Sequence, residues 1–199
     1  MRDTFLEALA TDQPVPGGGS AAAYGATVAL CLLKKIARVE EARLPESSLE
    51  RDFWSGLTGS VDGLLEVLER LREEDGQAYL RWARARKSSD VGELDLAFQE
   101  AVSCPLRIVR AVQKAAQRVL EAVPRCRRHL VVDLRVSLEL LRGAGRGAFH
   151  IAHANARMGS DEKSEIMRRE LNRLWEDCSR CLLQGQREAR SRIDGRNEE

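Results

Sequence analysis

Pro14-Val15-Pro16-Gly17-Gly18-Gly19-Ser20-Ala21-Ala22-Ala23 joins a stiff segment to the start of a helix, and the fold is decided by how this stretch is read. Proline fixes φ and biases the residue before it away from helix, so the chain up to Gly17 is extended. Beyond it Ala21, Ala22, Ala23, Gly25 and Ala26 carry so little side chain that a second helix backbone can approach closely. The pattern predicts one long small-residue helix reaching about Glu41. Its most apolar part, roughly Ala21 to Leu33, is interrupted by Gly25 and Thr27 and followed by Lys34-Lys35. That part is too short to span a bilayer and reads as a buried helix.

Working outward, Thr4 to Ala10 carries Phe5, Leu6 and Leu9, enough for a short helix. Downstream of Leu44-Pro45-Glu46-Ser47, apolar residues recur at Leu49, Phe53, Leu57, Val61, Leu64, Leu68 and Leu71, the stripe of one helix. Ser47 or Ser48 is placed to cap it. Arg86-Lys87-Ser88-Ser89-Asp90 reads as a loop ending in an N-cap, and a third long helix follows through Val102, Val109, Val112 and Val119, with a kink or break expected at Pro105. A fourth pattern resumes near Leu130, where Gly143, Gly145 and Gly147 are expected to be offset by close packing. The last helix is expected to begin near Ser160-Asp161-Glu162-Lys163 and to bury Ile166, Leu171, Leu174, Cys178 and Leu182. No stretch alternates with period two between turn residues. The expectation is all-α: a bundle of long helices formed by residues 1–184, with a charged, frayed tail at 185–199.

The chain has 199 residues, enough for one domain with a sizeable core. Its 32 Lys and Arg balance 31 Asp and Glu, so no overall field draws nucleic acid or anionic lipid, and neither partner is expected. Five cysteines, an odd number, and no basic leader before an apolar run point to a reducing cytoplasm.

The glycines at 17, 18 and 19 expose backbone donors where a helix dipole favours negative charge, so an anion or carbonyl can sit there. The other reading is a flexible turn. A P-loop is disfavoured, because no strand precedes the run and no Lys-Ser/Thr ends it. His150-Ile151-Ala152-His153 and Cys178-Ser179-Arg180-Cys181 each place two possible ligands on one helix face, but buried packing is the better reading of Cys178 and no metal is expected. Trp54, Trp82 and Trp175 are too widely spaced to form a stacking platform and are assigned to core or interface packing.

The opening run resembles the Pro-x-Pro-Gly-Gly-Gly-Ser start of the formiminotetrahydrofolate cyclodeaminases and their stand-alone cyclohydrolase relatives. Glu74-Asp75-Gly76-Gln77-Ala78-Tyr79 is similar to that family's Asp-Asp-x-Glu-Ala-Phe/Tyr motif. Ser103-Cys104-Pro105-Leu106 resembles its Val-Pro-Leu helix, Val131-Val132-Asp133 its Ser-Asp-Ala-Gly segment, and Arg146-Gly147-Ala148 its Arg-Gly/Ser-Ala run, with Asn155 at the Asn that follows. The resemblance covers nearly the whole chain in order.

What the resemblance implies is a cyclodeaminase-like helical homodimer acting on a tetrahydrofolate derivative. The reaction is either hydrolysis of the methenyl form or closure of the formimino form with loss of ammonia. Asp75 is then the catalytic carboxylate, the competing reading being a solvated helix acid. Gly17, Gly18, Gly19, Ser20, Asp133, Arg146 and Asn155 are the implied folate-binding residues. For Asp133 the bland reading is a helix-start carboxylate facing the dipole, and the spacing of Arg146 from Asn155 implies separate roles for them. The chain departs from the family at Arg38-Val39-Glu40, Leu134-Arg135, Arg84-Ala85-Arg86-Lys87 and Ile151. A non-catalytic relative that keeps the scaffold for binding is therefore the alternative.

Overall fold

The small-residue run becomes the helix around which the rest is arranged. The computed structural model describes residues 4–88, 90–159 and 162–195. Among them are six helices and no strand: α1 (Thr4–Leu9), α2 (Gly18–Ala42), α3 (Leu49–Ala85), α4 (Val91–Ala122), α5 (Arg128–Ala156) and α6 (Glu162–Asp194). Short connections make successive long helices antiparallel. α2 packs on α3 and α5, α4 packs on both of those in turn, and α6 lies against α4 and α5.

Along α2 the side chains of Ala23, Ala26, Leu30, Leu33 and Ala37 have no exposed surface. Their alternating three- and four-residue steps follow the seven-residue repeat that keeps one seam facing a partner helix. By length and apolarity α2 is able to cross a membrane, yet half of its most apolar window is buried within this fold.

The next seam position after Ala37 is Glu40, which explains why a carboxylate is wholly buried there. Its Oε1 accepts the Arg127 backbone N–H at 2.8 Å and Arg127 Nε at 3.2 Å, and Arg43 Nε bonds Oε2. Cys126 Sγ also points at Oε1, 3.8 Å away. Burial raises the Glu40 pKa, but the Arg127 backbone bond and the two guanidinium groups outweigh it and hold the carboxyl below its ordinary range. Arg192 adds a bond from Nη2 to the Cys126 carbonyl at 2.7 Å. The α4–α5 turn is thereby tied to both α2 and α6.

Several local expectations change. Asp90 caps α4, accepting from the Gly92 and Glu93 amides at 2.8 and 3.1 Å, whereas Ser48 occupies the N-cap of α3 without a side-chain cap bond. Pro105 does not break α4, which continues from Val91 to Ala122. Close packing is required at Gly145, where a Cβ would lie 2.9 Å from Val112 Cγ1, but not at Gly143, which faces open space. Ile166 is exposed rather than buried. The cap expected at Ser160-Asp161 lies outside the described residues, as does Ser89.

The chain beyond Gly185 does not fray where its charge suggested. α6 continues to Asp194, with Gly185 seated 3.1 Å, by its Cβ position, from Leu138 and with Ala189 buried. Charge on one face had concealed an apolar seam on the other; residues 196–199 lie outside the described part.

Candidate functional site

The first turn of α2 meets the last third of α3 through one carboxylate. Asp75 Oδ2 accepts the Ser20 backbone N–H at 2.9 Å, and Ser20 Oγ lies 3.2 Å from it. The same hydroxyl donates to the Arg72 carbonyl at 2.7 Å, an arrangement that locks the serine rotamer. Ser20 is the third residue of α2, so its amide is among the donors that a helix start leaves without an internal partner. The anion expected at the glycine turn is therefore the protein's own carboxylate, supplied by α3.

Gly19 makes this approach possible, because a Cβ there would overlap both carboxylate oxygens. None of the glycines in the run has a positive φ. Close approach, rather than turn conformation, is what requires glycine at 19.

Asp75, Gly17, Gly18 and Gly19 line a cavity of about 340 Å³ together with Val15, Tyr79, Trp82, Ile151, Asn155 and Met158. Burial raises the Asp75 pKa, and the two bonds from Ser20 lower it by less, so the carboxyl titrates above its usual range. A carboxylate whose charged form is disfavoured in this way is more readily protonated than an ordinary aspartate, as a group that takes and returns a proton must be. Cys104 stands behind it: burial first, and the Asp75 charge second, push this thiol up to about 12. It therefore stays protonated, with Sγ 3.7 Å from the Leu71 carbonyl, and is no nucleophile.

Asn155 is held by a need of the fold. Proline lacks an N–H, so Pro105 leaves the carbonyl four residues earlier, that of Ala101, without its helical partner. Asn155 Nδ2 donates to this carbonyl at 2.7 Å. The asparagine is thereby oriented at the cavity wall, and its side-chain oxygen is the group left for a ligand.

Two other candidates lie elsewhere in the chain. Asp133 is on α5 near the far end of α2, with Lys35 Nζ 3.7 Å from its Oδ2, about 25 Å along the helix from Gly19 at 1.5 Å per residue. Arg146 is exposed and lies over the rings of Phe149 and Trp175, at 5.1 and 5.3 Å. Neither lines the cavity. Among the departures from the family pattern, Ile151 alone stands in its wall, 3.1 Å from the position of a Gly18 Cβ. Arg38 and Glu40 lie about 30 Å away along α2, and Leu134 and Arg135 adjoin Asp133. Among the described residues no three of His, Cys, Asp and Glu gather as metal ligands.

Trp82 is the wall residue that sequence reasoning assigned to packing. Asp75, Tyr79 and Trp82 stand at i, i+4 and i+7 on α3, one helical face, and that spacing was the available signal. What hid it was that the same spacing describes any core stripe.

The profile of the formiminotransferase-cyclodeaminase family matches residues 1–173. Among solved structures, the formiminotetrahydrofolate cyclodeaminase from Thermotoga maritima is similar, with a TM-score of 0.86, 21% identity and 94% of each chain covered. A comparison with curated proteins gives no match.

Proposed function

The chain belongs to the formiminotransferase-cyclodeaminase family, and from that premise we propose that it hydrolyses methenyltetrahydrofolate or closes the formimino form with release of ammonia. One observation carries the reading: the family's acidic motif and its glycine turn meet in a single cavity, with Asp75 bonded to Ser20.

In the hydrolytic direction the substrate is an amidinium-like cation, and a carboxylate in a poorly solvated pocket favours it electrostatically. Water adds to the one-carbon unit, Asp75 accepts the proton it sheds, and breaking one carbon–nitrogen bond leaves the formyl product. In the cyclising direction the arylamine nitrogen outside the pterin ring attacks the formimino carbon already carried by the ring nitrogen, loses its proton, and protonated Asp75 delivers its proton to the imino nitrogen that departs as ammonia. Ser20 engages Oδ2, which leaves Oδ1 as the oxygen that handles the proton. Gly17, Gly18 and Asn155 contribute wall and hydrogen-bonding groups, while the intrachain positions of Asp133 and Arg146 support no contact with the same ligand.

The homodimer and the cytoplasmic setting belong to the same proposal. In support of the dimer, Val28 on α2 and Val132, Val136 and Leu140 on α5 are exposed apolar side chains, and light scattering in solution measures the state directly.

The test is to add methenyltetrahydrofolate to purified protein and follow the loss of its ultraviolet absorbance. Asp75→Asn should fold and lose about 10²-fold or more in rate, the usual worth of a positioned acid–base group. Equal rates in the two proteins would remove Asp75 from the mechanism. A wild-type protein that binds the substrate without turnover would move the reading to the non-catalytic relative.

A further inference from the structure

The Asp75 cavity, at about 340 Å³, is at the small end of ligand cavities, which span about 300–1,000 Å³. A ligand longer than its reacting ring system must therefore continue outside it. Trp82 and Met158 are shared with a larger neighbouring cavity of about 820 Å³, whose other walls include Leu94, Phe98 and Arg86. A third recess is again lined by Trp82, now with Tyr79, Arg86 and Lys87. The half-buried indole is thus the wall common to all three spaces, and Arg86 is common to the outer two.

The Arg86 guanidinium carbon lies 4.8 Å from the centre of the Trp82 ring, the geometry of a cation held over an aromatic face. Among the described residues neither Arg86 nor Lys87 forms an ion pair. The acid on the wall of the larger cavity, Asp95, is already engaged, with Lys163 Nζ 3.6 Å away and Gln99 donating at 2.9 Å. The outer site therefore offers a flat apolar surface ending in uncommitted positive charge.

We propose that Trp82, Arg86 and Lys87 form the outer half of the binding site. The indole packs against a planar aryl group extending from the reacting ring, and the two cations pair with carboxylates at its far end. The inference rests on the folate reading above and deepens it: it says which way the ligand runs and makes Arg86 a specificity-determining residue for the glutamate. Arg84-Ala85-Arg86-Lys87, which departs from the family pattern, becomes the source of that preference.

The experiment compares methenyltetrahydrofolate with methenyltetrahydropteroate, the same compound without its glutamate, on wild type and on Arg86→Gln/Lys87→Gln. Wild type should favour the glutamate-bearing substrate about tenfold in kcat/KM, the scale of one charge-assisted pair, and the double variant should show almost no preference. An undiminished preference in the double variant overturns the assignment of the cations. Titration with p-aminobenzoylglutamate should quench tryptophan fluorescence in wild type and not in Trp82→Phe; full quenching in the variant overturns the role of the indole. Failure of the catalytic reading looks different: Asp75→Asn would match wild-type turnover while the glutamate preference and the quenching persist. Absence of binding by either folate would overturn both.

Discussion

Two carboxylates sit at opposite ends of α2, and their surroundings differ in every respect that matters to function. Glu40 has no exposed surface and is met by a backbone amide, two guanidinium groups and a thiol. Asp75 has the amide and hydroxyl of a single residue, both on Oδ2, and lines a cavity. The first is held below its ordinary pKa and the second above it. A carboxylate saturated with cationic donors is a fixed charge that ties elements together. One that is desolvated and only partly satisfied is prepared to exchange a proton. Burial alone would have ranked Glu40 as the more interesting acid; the donor count reverses the order.

The contrast breaks most easily at Glu40. Glu40→Ala should cost about 3 kcal/mol in urea unfolding, because it strands a buried amide and two arginines, although the partly exposed guanidinium groups can recover some hydration. Asp75→Asn should change stability by no more than about 1 kcal/mol, since the loss of a charge at a helix start is offset by relief of its desolvation. Comparable losses for the two variants would erase the distinction.

Asn155 sharpens the comparison next. Asn155→Leu should cost about 1–3 kcal/mol by leaving the Ala101 carbonyl without a donor. In a Pro105→Ala background the restored helical N–H should recover much of that loss. A cost unchanged by Pro105→Ala would mean that the asparagine is kept for some other contact.

The smallest effect lies in pH dependence, where the signs oppose. Glu40 has a lowered folded pKa, so its contribution is present above the unfolded value and is lost as pH falls through the folded one. Asp75 has a raised folded pKa, so its contribution is present below the unfolded value and is lost as pH rises through the folded one. Asp75→Asn should accordingly gain on wild type as pH rises across that window, in paired unfolding curves. The rate of hydrolysis should climb over the same window as the base loses its proton. An inflection at or below the ordinary Asp value would contradict the desolvated carboxyl.

Much of the molecule is legible in its residue pattern. The period of Leu49, Leu57, Val61, Leu68 and Leu71 specifies α3, because a helix face repeats every three to four residues whatever it packs against. The order of the family-like motifs points to Asp75 and the glycine turn together. Less legible are residues whose role depends on a partner distant in sequence. Asn155 answers Pro105 across 50 residues of chain, Gly185 makes room for Leu138, and Glu40 looks like a missing ligand group although it binds the turn at Arg127.

The sequence by itself determined the helices up to about Gly185, most of their seams and the small-residue stretch that lets α2 be packed closely, since these follow from local periodicity and side-chain size. Only the tertiary structure decided that the anion at the start of α2 is the chain's own Asp75, that Asp133 and Arg146 stand apart from it, and that Trp82 borders the cavity. The reason is physical: hydrogen bonding, desolvation and cavity shape are set by atoms brought together from distant segments, and no one-dimensional pattern specifies which donors will surround a given acid.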